Sequence, residues 1–64
     1  MTLDKAREML KVQISLGSGY NRNSAKLILA EVQREHGMLA ADKLIAELAL
    51  DKHFGFKPGE KLHY

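Results

Sequence analysis

Glycine partitions this chain. Gly17-Ser18-Gly19 and Gly37 cut it into three leucine-, isoleucine- and alanine-rich stretches, each long enough for about four helical turns. Within each stretch the apolar residues recur at spacings of three and four, and none shows the sustained alternation of a half-buried strand. The fold class this dictates is all-α: a small three-helix domain in which a hairpin across Gly37 packs against an N-terminal helix. Dimerisation into a larger helical bundle is a natural extension of that architecture.

The helix boundaries follow from caps and periodicity. Thr2 suits an N-cap, and Asp4 stands in the first turn, where the helix dipole favours a carboxylate. Leu3, Ala6, Leu10 and Ile14 then share one face, with Met9 on its margin, so residues 3–16 are expected to be helical until Gly17 stops them. The second helix is expected from Ser24 to His36, capped by Asn21 or Asn23. Ala25, Ile28, Leu29 and Val32 form its apolar face; Lys26, Glu31, Arg34 and Glu35 lie away from it.

The third stretch, Leu39 to His53, is the most apolar. Ala40, Ala41, Leu44, Ile45 and Leu48 make a broad core face. On one continuous helix turning by about 100° per residue, Leu39, Ala46 and Leu50 fall on a second stripe outside it. Phe54-Gly55-Phe56 ends the helix, and Lys57-Pro58-Gly59-Glu60 reads as a turn. Residues 1–56 are thus expected to form a single domain and 57–64 a C-terminal tail, mobile unless Phe56 or Tyr64 docks on the helices.

Sixty-four residues bury only roughly 60% of the surface their unfolded chain exposes, so the core is marginal. Disulfides, a structural metal or oligomerisation usually compensate. The chain has no cysteine, which removes disulfides and thiolate metal sites together and leaves self-association. The N-terminus lacks the apolar run of a signal peptide, and no stretch approaches the roughly 20 apolar residues of a membrane span, so a soluble, cytoplasmic protein is expected. The net charge is +2, with both signs mixed along every segment.

Chemistry-bearing motifs are sparse. The loop Gly17 to Lys26 is the most polar segment; Arg22, Ser24 and Lys26 beside the amides at the start of the second helix suggest an anion or nucleic-acid site. It lacks both the P-loop spacing and Gly-x-Gly-x-x-Gly, and helix capping with Tyr20 as a staple accounts for the same residues. A helix-turn-helix DNA reader usually has a small residue four before its turn glycine and an apolar one six after; around Gly37 these are Gln33 and Lys43. His36, His53 and His63 show no His-x-x-x-His spacing, and the first two sit where a helix C-terminus favours an imidazole. There is no nucleophile elbow and no isolated acid-base couple.

These observations select a small non-catalytic helical protein with no cofactor or metal, acting through protein-protein interaction. The expected partner is a second copy or another protein, not a membrane. The interface set is Leu39, Ala46 and Leu50 with Val12, Leu16 and Leu27, because these residues exceed what one small core absorbs. A nucleic-acid or phosphate-binding module using Arg22, Ser24 and Lys26 is the alternative.

Overall fold

The computed structural model describes residues 1–17 and 21–62; the expectations for Ser18, Gly19, Tyr20, His63 and Tyr64 fall outside them. The described residues form four helices and no strand: α1 (Leu3–Ser15), α2 (Arg22–His36), α3 (Met38–Leu48) and α4 (Leu50–Phe54). The first boundaries match the caps read from sequence. Thr2 is extended, and its hydroxyl oxygen accepts from the Lys5 amide at 3.1 Å. Gly37, with φ of 96°, ends α2 and begins α3 with no other residue between them.

Asn21 takes a different part from the one expected. It occupies the position before α2, yet makes no side-chain cap there. Its buried amide turns back and donates to the carbonyls of Gln13 at 3.2 Å and Gly17 at 2.8 Å, closing the C-terminus of α1. α2 therefore starts at Arg22, with Asn23 inside its first turn.

The third stretch is not one helix. Ala49 adopts the left-handed conformation, φ 53° and ψ 43°, and splits it into α3 and α4. That break ends the angular phase that set Leu50 beside Leu39 and Ala46. Leu50 is fully buried, in one cluster with Leu10, Leu29, Leu44, Ile45 and Phe56. Leu50 is thus a core residue, and the expected stripe of Leu39, Ala46 and Leu50 does not exist as a surface.

α1 and α2 run antiparallel: the amine of Met1 meets Glu35 at 2.7 Å, while Asn21 meets Gln13 at the opposite end. α3 reaches back to α1, and Arg7 pairs with both Asp4 on its own helix and Glu47 on α3. After Gly55, itself left-handed, the chain does not leave the domain. Phe56 is fully buried, and its ring centroid lies 6.0 Å from that of Phe54. Lys57 to Glu60 form a turn closed at 3.2 Å, with Pro58 second and Gly59 third at φ 83°, a type II pattern.

Three polar contacts hold residues 56–62 against the helices as a strap. Asp42 accepts from the Gly59 amide at 2.8 Å. The Gln33 side chain grips the backbone twice: Nε2 donates to the Glu60 carbonyl at 2.7 Å, and Oε1 accepts from the Leu62 amide at 2.8 Å. Leu62 packs against the core.

Candidate functional site

Five of the six expected interface residues are exposed, but on separate parts of the surface. Val12 (53% exposed) and Leu16 (63%) stand four apart on α1 and therefore on one side of it. Met9, three before Val12, extends that ridge and is half-buried against the core. The antiparallel register places Leu27 of α2 (48% exposed) level with Met9 across the helix pair. An open concavity of about 550 Å³ lies beside the ridge, with Lys5 and Lys11 on its rim.

Leu39, at 80%, is the most exposed large apolar residue described, and it sits on α3 with exposed Ala46 seven residues on. A cleft of about 430 Å³ separates α1 from α3 here: Leu3 and Arg7 line one wall, Leu39, Ala40, Lys43 and Leu44 the other. The Arg7–Glu47 ion pair spans its far end. Hydrogen bonding to Glu47, then its charge, holds the Arg7 guanidinium above its already high pKa.

The alternative anion set is not assembled. Arg22 and Lys26 lie four apart on one side of α2, whereas Ser24 is two residues from each and projects from the other side. Arg22 also has a structural task. Its Nε–H donates to the Phe54 carbonyl at 2.8 Å, and its guanidinium lies 4.6 Å from the centre of the Phe56 ring. It caps α4 and covers the first aromatic of the strap.

His36 and His53 fall in the last turns of α2 and α4, as the helix dipole favours. His36 Nε2 lies 2.8 Å from the carbonyl of Met1, and the His53 ring is tilted against Phe54. Among the described residues, no three histidines or carboxylates converge as a metal site, and no helix is long and apolar enough to cross a membrane. The Met1 ammonium is raised above its ordinary pKa chiefly by its hydrogen bond to Glu35, and that same bond holds Glu35 below the usual carboxylate range.

Sequence reasoning missed two features of the surface. One is the strap, whose anchors, Gln33 and Asp42, carry no motif. The other is the α1–α3 cleft, which depends on the angle at which α3 leaves Gly37. The chain matches no family model, no curated protein and no solved structure.

Proposed function

We propose that this protein works without catalysis, by association with a protein surface, and that a second copy of the chain is its first partner. The supporting observation is the exposure of Val12, Leu16, Leu27 and Leu39 at 48–80% in a domain too small to be indifferent to it. A standard interface takes about 800 Å² from each partner, roughly a fifth of the 4088 Å² this chain exposes. An association on that scale would supplement a marginal core.

Sedimentation equilibrium from micromolar to millimolar concentration tests the reading. Association is expected, and separate Leu16→Asp and Leu39→Asp substitutions would show whether the α1–α2 face or the α3 cleft carries it. A parent protein that stays monomeric throughout, or association indifferent to both substitutions, overturns the proposal. Leu50 cannot serve in this test, because it is buried and an aspartate there would strike the core.

A further inference from the structure

Charge is mixed along the sequence, but the fold gathers its excess in one place. Residues 22–26 and 51–61 carry five cations (Arg22, Lys26, Lys52, Lys57 and Lys61) against Asp51 and Glu60, a net +3. The rest of the chain holds five cations and six carboxylates, a net −1, which together give the +2 of the whole.

These two segments, far apart in sequence, are adjacent in space. Arg22 touches Phe54 and Phe56, which fixes the beginning of the strap at the beginning of α2. Gln33, eleven residues and about 16 Å further along the helix, holds Glu60 and Leu62. The strap therefore runs beside α2 from Arg22 towards Gln33. Eleven residues return a helix to nearly the same angle, so Arg22, Lys26 and Gln33 all lie on the strap side. Lys57 follows Phe56 at one end, and Lys61 stands between the two backbone groups that Gln33 grips at the other. Arg22, Lys57 and Lys61 are exposed, and Lys26 is half-exposed. Among the described residues, the ion pairs are made by Arg7 and the Met1 ammonium, away from this face.

The kind of polyanion follows from what accompanies the charge. A protein partner is held mainly by aromatic and apolar anchors in desolvated pockets. Among the described residues, the exposed large apolar ones are Val12, Leu16, Leu27 and Leu39; none of these lies on the strap, and Leu27 is turned about 140° around α2 from Arg22. Phosphate contacts need only cations, and they supply affinity without reading bases. We propose that Arg22, Lys26, Lys57 and Lys61 form a face that binds the phosphate backbone of nucleic acid without sequence selectivity. This surface is distinct from the apolar residues argued to mediate association.

The experiment is fluorescence anisotropy of a short labelled DNA duplex titrated with full-length protein across a series of salt concentrations. Two charge-matched variants accompany the parent: Lys26→Glu/Lys57→Glu/Lys61→Glu, and Lys5→Glu/Lys11→Glu/Lys43→Glu. Circular dichroism checks that both retain the parent's helicity. The parent is expected to bind at low salt, with log K falling against log salt at a slope of about −3 to −4, as four phosphate contacts require. The strap variant should lose at least about tenfold in affinity while the second stays within about twofold of the parent, since only the first removes phosphate contacts. No binding by the parent at low salt, equal loss in both variants, or equally tight binding of polyglutamate of the same charge would each overturn the assignment.

Discussion

Leu39 and Leu50 stand eleven residues apart and on a single helix would point the same way, yet one is 80% exposed and the other fully buried. The difference between the two halves of the third stretch is one residue, Ala49, in the left-handed conformation. Met38–Leu48 keeps the phase that its sequence predicts, with Ala41, Leu44 and Ile45 inward and Leu39 outward. Beyond Ala49 the phase restarts, so Leu50, Phe54 and Phe56 all enter the core. Periodicity reports burial only over the length for which the helix is continuous, and no glycine or proline announces this break.

Substitutions can widen or erase that contrast. Leu50→Ala should cost about 2–5 kcal/mol in urea or guanidinium unfolding, the range for deleting a buried leucine. A cost below about 0.5 kcal/mol would return Leu50 to the surface. Gln33→Leu removes both grips on the strap and should cost roughly 1–3 kcal/mol, with faster amide exchange at Leu62 well before global unfolding. Ala49→Gly should instead stabilise by about 1 kcal/mol, because glycine occupies the left-handed region without the Cβ clash. If glycine destabilises, the break is not where the contrast originates. Leu39→Ala should leave unfolding within about 0.5 kcal/mol of the parent under conditions that keep the chain monomeric.

The smallest effect is electrostatic and lies at the other end of the molecule. Glu35 is held below its ordinary pKa by the Met1 ammonium, so its contribution is present above the unfolded carboxylate value and is lost as pH falls through the lower folded one. The ammonium is raised above 8.0, so its contribution is full below that value and disappears as pH rises through the folded one. Glu35 is exposed, and salt should weaken the pair. Glu35→Gln should therefore flatten the acid limb of the stability profile slightly; an unchanged limb in low salt would show that the pair is inert.

The all-α class, the Thr2 cap, the Gly37 junction and the inward faces of α1, α2 and α3 were legible because each rests on local spacing or on a residue with one strong conformational preference. The candidate surface was legible only in part. Val12, Leu16, Leu27 and Leu39 are exposed as their positions on the helices suggested, but whether such residues converge depends on how helices cross. Asn21 was recognised as a capping residue, though for the wrong helix, since an amide can donate backwards as readily as its oxygen can accept forwards. Of the strap, the Lys57–Glu60 turn and Phe56 as a docking residue were legible, but its path was not, because it is held by long-range contacts to Gln33 and Asp42, residues whose type occurs on any solvated helix.

The way Gln33 holds that strap leaves its side chains unaddressed. On the strap, Gln33 bonds only to the carbonyl of Glu60 and the amide of Leu62, groups that nearly every residue type offers alike. Lys57, Glu60 and Lys61 are thereby free to drift in identity while the path of the chain beneath them stays put. The molecule carries, on a domain with little stability to spare, a short stretch whose outward chemistry can be rewritten by mutation without renegotiating the fold.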